Sequence, residues 1–432
     1  MAYTPDLSNL SNRNILECCG LSTISDELFV CGAEQFVSLL NNVLSALSSE
    51  AIVVDISTLS PLFFLAALHQ IPGSWHSADT RKLSKLLLQQ IYSAYEVNDI
   101  LSFLTTTIHD SYVISELFKQ IQQLISTNGW ENSPTVRLIA TWIQSNIPYP
   151  TLGTYLNLFF PILLRLLDDL TPDNQVIGLK STIYMTRNVT KADLVIYNRL
   201  EVLLHALERY VYSNYSNVLS NFQLLMVQLL SLIEQPPNIS VTPLTIGLTH
   251  HDTYLYNLLS TIPQSYSIEL KRDRVNMLSQ TVPLFESALL PHLSQLVKAI
   301  VFFLALPDLA AEEVRYKSMD LVLYICQHCA QQIHIHLFQL SLALIKVITQ
   351  CSQRKKDKTA KNQNYHELAM KSITCFQQLY GCEGCGDALM RYLIAVCEDK
   401  TGSVYVSIIL RKAVTRLSIT NSEDIPTPMD AI

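Results

Sequence analysis

At 432 residues the chain is longer than the roughly 250–300 residues one hydrophobic core supports, so it comprises several domains or one repeat array. Apolar residues are 49% and charged residues 16%, with only 11 Gly; abundant leucine and few alternating β-branched runs exclude a sheet-rich fold and predict an all-α one. A net charge of −7 excludes the basic face that nucleic-acid binding needs.

Residues 1–30 are polar and poorly periodic, and are expected as a loosely held segment. Met1–Leu10 has neither the basic nor the apolar part of a signal peptide. The ten Cys are therefore expected as reduced thiols of a cytosolic or nuclear protein. An N-terminal helical region, 31–150, begins with Phe36, Leu39, Leu40, Val43, Leu44 and Leu47 at helical spacing. Further helices are predicted at Leu59–His69, Leu83–Tyr95, Ile100–Ile108, Val113–Ile125 and Val136–Gln144. Pro, Gly and Asn in Ile71-Pro72-Gly73, Asn128-Gly129, Asn132-Ser133-Pro134 and Pro148-Tyr149-Pro150 mark the turns between them.

The block 151–235 reads as two helical hairpins. An apolar run, Leu156–Leu167, breaks at Asp168-Asp169-Leu170-Thr171-Pro172 and resumes with Val176, Leu179 and Ile183 on one face. Thr171 is expected to cap the second helix, with Pro172 at its first position and Asp173 on the positive end of its dipole. Pro161 either kinks the first helix or marks its start. Leu200, Leu203, Leu204, Leu207 and Val211 form one stripe, and Val218, Phe222, Leu225, Leu229 and Leu232 form the next. Each hairpin needs a neighbour to bury it, which predicts an α-solenoid of irregular HEAT/armadillo-like hairpins.

Residues 236–252, rich in Pro, Ser and Thr, read as a loop leaving the stack. C-terminal repeats occupy 253–417: Thr253–Ile262, Ile268–Leu278, Pro291–Leu306, Glu312–Cys329, Ile333–Cys351, Tyr365–Leu379, Ala388–Cys397 and Val404–Leu417. The turn Pro307-Asp308-Leu309 echoes Asp169-Leu170, which agrees with hairpins of roughly 40 residues. No apolar run reaches the ~18–20 residues of a membrane span; Leu293–Leu306 comes nearest, interrupted by Ser294, Gln295 and Lys298. The tail 418–432 has no apolar stripe and is expected to be disordered.

Cys382-Glu383-Gly384-Cys385 has the spacing of half a zinc site or a redox pair, and Cys326-Gln327-His328-Cys329 is the candidate other half. Against this, Cys326 and Cys329 sit in an apolar stripe where Cys acts as a small hydrophobe, and no strand precedes Cys382. His250-His251-Asp252 and His334-Ile335-His336 look like ligand fragments, but their spacing points the side chains apart, and capping or surface roles are expected. The basic loop 354–361 reads as a solvated connection, with nuclear import or an anionic partner as its alternative use. Asp168-Asp169 is expected to pair with Arg199 and orient the hairpins. No catalytic or nucleotide-binding motif is present.

The central block carries more than periodicity. Asp168-Asp169, Asn174, Val176, Gly178-Leu179, Asn188-Val189, Asp193-Leu194 and Tyr197-Asn198-Arg199, with Val202-Leu203 and His205-Ala206, resemble the second Tel-interacting protein family. That family is the small HEAT-repeat subunit of the triple-T (Tel–Tti–Tti) complex. The resemblance continues through Thr253-Tyr254, Leu270-Lys271-Arg272 and Glu312–Leu323 to Cys397-Glu398-Asp399, covers 155–415, and is most specific over 168–206. One departure is Leu170, where the family often has an aromatic; leucine is expected to fill the same apolar slot between helices.

The resemblance implies a non-enzymatic adaptor without cofactor, bound to the larger Tti subunit and the Tel subunit. Through them it would link the heat-shock protein 90 machinery to newly made phosphatidylinositol-3-kinase-related kinases, and so to DNA-damage and nutrient signalling. Asp168, Asp169, Asn174, Gly178, Tyr197, Asn198, Arg199 and His205 are its structural or partner-binding residues. The C-terminal half of the chain is expected to dock the partner, so that deletion from Pro283 onward removes partner binding. Read without the resemblance, the residues reach only a helical-repeat interaction protein. The alternatives are an unrelated scaffold of the transport-receptor or phosphatase-scaffold type, and a zinc or redox protein using Cys382 and Cys385.

Overall fold

The computed structural model describes residues 56–73, 78–108, 111–130, 134–237, 249–305, 307, 312–354 and 362–381. The expectations for 1–55, the Asp308-Leu309 turn, the basic loop beyond Arg354, Cys382, Cys385 and everything C-terminal to them lie outside the described residues. The fold is an all-α solenoid, and the chain divides into two compact units between Leu207 and Glu208. That division falls inside the stretch which the sequence groups as one central block.

In the first unit the helices are α1 (Ile56–Leu68), α2 (Ala78–Ala94), α3 (Ile100–Thr105), α4 (Val113–Asn128), α5 (Pro134–Ser145), α6 (Leu156–Asp168), α7 (Pro172–Arg187) and α8 (Arg199–Leu207). Helix α1 packs on α2, α4 and α5; α5 packs on α6 and α7; α6 packs on α7 and α8. Phe118 of α4 meets Phe159 of α6 edge to face at 4.7 Å between centroids. Pro161 lies inside α6, more than one turn past its start. The helix expected over Ile100–Ile108 stops at Thr105, and Thr107-Ile108 pairs with Ser111-Tyr112 in a two-stranded antiparallel ladder. The cause is the run Thr105-Thr106-Thr107-Ile108, whose β-branched side chains favour extended backbone; Thr106 already has ψ 142°.

Helices α6 and α7 approach closely at Gly178. A Cβ there would sit 2.9 Å from Leu166 Cβ and 3.1 Å from the Leu166 and Leu167 backbone. Only a residue without a side chain permits that approach.

The second unit contains α9 (Ser216–Ile233), α10 (His250–Thr261), α11 (Ile268–Thr281), α12 (Leu293–Ala305), α13 (Glu313–His328), α14 (Leu337–Arg354) and α15 (Asn362–Gly381). Packing alternates: α9, α11, α13 and α15 contact one another in sequence, and α10, α12 and α14 do the same. Hairpins α10/α11, α12/α13 and α14/α15 join these two layers. Their first helices begin at His250, Leu293 and Leu337, a period of 43 and 44 residues that matches HEAT-type repeats.

The predicted loop 236–252 ends early, because Thr249 and Asp252 form a reciprocal capping box that starts α10 at His250. Helices α12 and α14 begin later than expected, after the 3₁₀ segments Glu286–His292 and Ala330–His336. The expectation about membrane spans is also corrected. Ser216–Ile233, Ala288–Ala305 and Ala330–Cys351 are each long and apolar enough to cross a bilayer. In this fold only 44–50% of those windows is buried, the buried part being the stripe packed on neighbouring helices.

Two His–carboxylate contacts fix the first turn of α10. His251 Nδ1 lies 2.7 Å from Glu234 Oε1, which also accepts the His251 backbone N–H, and His292 Nε2 lies 2.8 Å from Asp252 Oδ1. Burial alone would raise both carboxyl pKa values. The bonds from His251 and His250 to Glu234, and from His292 and Thr249 to Asp252, outweigh it and lower them. A lowered folded pKa adds stability above the unfolded value, and this is lost as pH falls through the folded one. Glu234→Gln should therefore reduce the urea midpoint at neutral pH and shrink the difference from the parent as pH falls below ~4. Gly178→Ala is expected to destabilise by about 1–3 kcal/mol despite its better helix propensity, because backbone on the facing helix must move; chemical denaturation measures it.

Candidate interaction surface

The residues singled out in the central block gather at two clamps, one at each end of α6. The first is Asp169, in the turn between α6 and α7. Its Oδ2 accepts Arg137 Nη1 at 3.1 Å, Trp130 Nε1 at 3.0 Å and Asn174 Nδ2 at 3.1 Å. Its Oδ1 accepts the Thr171 N–H at 2.8 Å, and its carbonyl accepts Gln175 Nε2 at 2.8 Å. Both Arg137 and Asp169 side chains are over nine-tenths buried, and Trp130 lies under the guanidinium groups of Arg137 and Arg165. Burial alone would raise the Asp169 pKa, but the hydrogen bonds from Thr171, Trp130 and Asn174 together lower it.

This arrangement corrects three expectations. Asp169 pairs with Arg137, not Arg199: the α6–α7 turn faces the start of α5, whereas Arg199 lies at the opposite end of α6. Thr171 holds the N-cap position without a side-chain cap, because its hydroxyl as well as its N–H is directed at Asp169. Leu170 fills no slot between helices; it is 91% exposed at the tip of the clamped turn. Asp168, one residue earlier, is also exposed.

At the other end of α6, Thr190 and Asp193 form a capping box that starts the short helix Lys191–Val195. The Asp193 pKa is lowered mainly by the Thr190 hydroxyl and backbone N–H, with Arg199 adding to them. Gly153 makes room for this carboxylate, since a Cβ there would lie 2.9 Å from Asp193 Oδ2. Buried Arg199 donates Nη1 to the Asp193 carbonyl at 2.6 Å and Nη2 to Asn157 Oδ1 at 2.7 Å. Its guanidinium also faces the rings of Tyr197 at 5.1 Å and Phe160 at 5.9 Å.

Between Asp193 and Arg199 the chain makes a tight reversal with two non-glycine residues in left-handed conformation, Tyr197 at φ 58° and Asn198 at φ 55°. The reversal turns Val195, Ile196 and Tyr197 outward, at 55%, 50% and 78% exposure. His205 is exposed on α8. Asp169 and Asn174 thus share one clamp, Tyr197 and Arg199 share the other, and Gly178 sets the helix spacing between them. Sequence reasoning missed Trp130, Arg137 and Asn157. A partner 32 residues away, as Arg137 is from Asp169, leaves no periodic trace.

The other candidates take structural roles. Cys326 and Cys329 are buried at the end of α13, and burial raises the Cys329 thiol pKa. His251 and Asp252 belong to the fold of α10, and His334 Nδ1 contacts the Gln331 carbonyl at 2.9 Å. Among the described residues no three His, Cys, Asp or Glu side chains gather as a metal site would require.

Removing one partner of a buried ion pair strands the other. Asp169→Asn should cost on the order of 3 kcal/mol in thermal or urea unfolding at pH 7, and progressively less as pH falls through the lowered Asp169 pKa and the parent carboxylate takes up its proton. Arg199→Ala should likewise lower the melting temperature by releasing Asn157 and the Asp193 carbonyl.

No family model matches the chain. Curated relatives do. It is 22% identical over 351 residues to TELO2-interacting protein 2 of Homo sapiens, covering 80% of this chain and 68% of that protein. The protein of the same name from Rattus norvegicus is 23% identical over 372 residues, covering 85% and 72%. Among solved structures, karyopherin Kap95p in its complex with RanGDP aligns with 97% of this chain and 49% of its own at TM-score 0.47 and 11% identity. Kap121p bound to the extreme C-terminus of the phosphatase Cdc14p aligns at TM-score 0.35 and 12% identity, covering 94% and 50%. The sequence similarity extends over four fifths of the chain and supports its resemblance to the TELO2-interacting protein 2 family.

Proposed function

We propose that the protein is a non-enzymatic scaffold subunit of a triple-T-type complex, bound to a Tel subunit and to the larger Tti subunit. In this reading it supports maturation and stability of phosphatidylinositol-3-kinase-related kinases together with the heat-shock protein 90 machinery, in the cytoplasm and the nucleus. The observation that carries the reading is the similarity over about 80% of the chain to proteins whose name states an interaction with TELO2. The fold supports it. Stacked helical hairpins offer long ridges to a partner, and Tyr197 and Phe338 place large apolar groups in solvent.

Affinity purification of the tagged full chain from cells at moderate salt, with mass spectrometry of the eluate, tests the proposal. Near one-to-one recovery of the Tel and larger Tti subunits, with kinases or heat-shock components at lower yield, is the expected result. A different stoichiometric partner in their absence would overturn it.

A further inference from the structure

The reversal at Val195–Asn198 is built as a projection. Leu194 is fully buried and Arg199 nearly so, so the segment is anchored at both ends while the four residues between them stand in solvent. The Arg199 guanidinium holds one face of Tyr197, which limits where the ring can point. Tyr197 and Asn198 both occupy the left-handed region, a conformation that costs a non-glycine residue free energy and persists only where its surroundings impose it. Here those surroundings are the capping box and the two hydrogen bonds of Arg199. An aromatic ring held rigidly beside two aliphatic side chains loses little entropy on burial, which is the physical profile of an interface anchor.

Charge selects the partner. On the N-terminal side of the projection the exposed charges from Asn174 onward are Lys180, Arg187 and Lys191, with the exposed carboxylates Asp173 and Glu201 bounding the stretch. The one carboxylate in that stretch, Asp193, is turned inward onto Thr190. Arg187 ends α7 and Lys191 opens the short helix, so both flank the projection. We propose that Val195, Ile196 and Tyr197 dock into an apolar groove of a protein partner whose rim carries Asp or Glu facing Arg187 and Lys191. The proposal rests on the scaffold reading above, and it adds a docking point in the N-terminal unit to the C-terminal half expected from the sequence.

The test co-expresses the full chain with the two partner subunits of the preceding section and measures complex recovery and affinity. The variants are Tyr197→Gly, Ile196→Ser and Lys191→Glu, with Leu170→Ser as a control elsewhere on the surface. Glycine accepts the left-handed backbone, so Tyr197→Gly should melt no lower than the parent while binding at least ~10-fold more weakly. Ile196→Ser, on an exposed side chain, provides a second reading independent of backbone strain. Lys191→Glu should weaken binding mainly through a slower on-rate, and raising salt to about 0.5 M should erase its difference from the parent. Leu170→Ser should bind as the parent does. Parent-like binding by Tyr197→Gly and Ile196→Ser would overturn the docking point and leave the scaffold reading standing. Failure of the parent itself to bind either subunit would overturn both. Self-association of the parent that Tyr197→Gly abolishes would show the surface to be a contact between copies, and would also overturn the proposal.

Discussion

A guanidinium taken out of water keeps its charge and must find acceptors for five N–H bonds, and this requirement ties helices together within each unit. Arg137, Arg199, Arg274 and Arg315 are all more than nine-tenths buried. Arg199 holds the Asp193 carbonyl and Asn157; Arg274 donates to the Val211 and Ser213 carbonyls; Arg315 donates Nε to the Leu304 carbonyl near the end of α12 and Nη2 to Gln350 of α14. Burial lowers the Arg274 pKa only to about 10, so it remains cationic at neutral pH. Three of the four reach main-chain carbonyls, and these lie at turns or helix ends, where intrahelical partners run out. Apolar stripes let two helices slide or rotate against one another at little cost. A buried fork aimed at particular carbonyls does not, so these arginines set the register in which leucine faces meet.

How much of this was legible in the sequence depends on the range of the interaction. Periodic leucine stripes report burial within one helix, and helices α1, α2, α4–α7, α9–α11, α13 and α15 lie where the stripes put them. Local turn chemistry was readable in kind: Pro172 does open α7. The partner of a buried charge was not. The expected partner of Asp169, Arg199, lies 30 residues after it, whereas the observed one, Arg137, lies 32 residues before it on α5. Nothing in a linear pattern distinguishes those choices.

The stretch 168–206 carries the resemblance because two different demands meet in it. Asp169, Asn174, Gly178 and Arg199 answer to the interior, where each makes a contact that a substitution would break. Leu170 and Tyr197 answer to the exterior, since neither is needed to fill the core. Reading all of them as one motif concealed this division. The expected apolar slot for Leu170 assumed an inward-facing residue, and the clamp on its neighbour is what turns it out.

The alternating packing of the second unit bears on how the chain reaches this state. Helices there touch the next helix or the next but one, so nearly every contact closes a short loop in the chain. Such a topology has low contact order and allows structure to nucleate in any hairpin and spread to its neighbours. As the polypeptide leaves the ribosome, each completed hairpin can dock on the one before it, without waiting for residues still to be made.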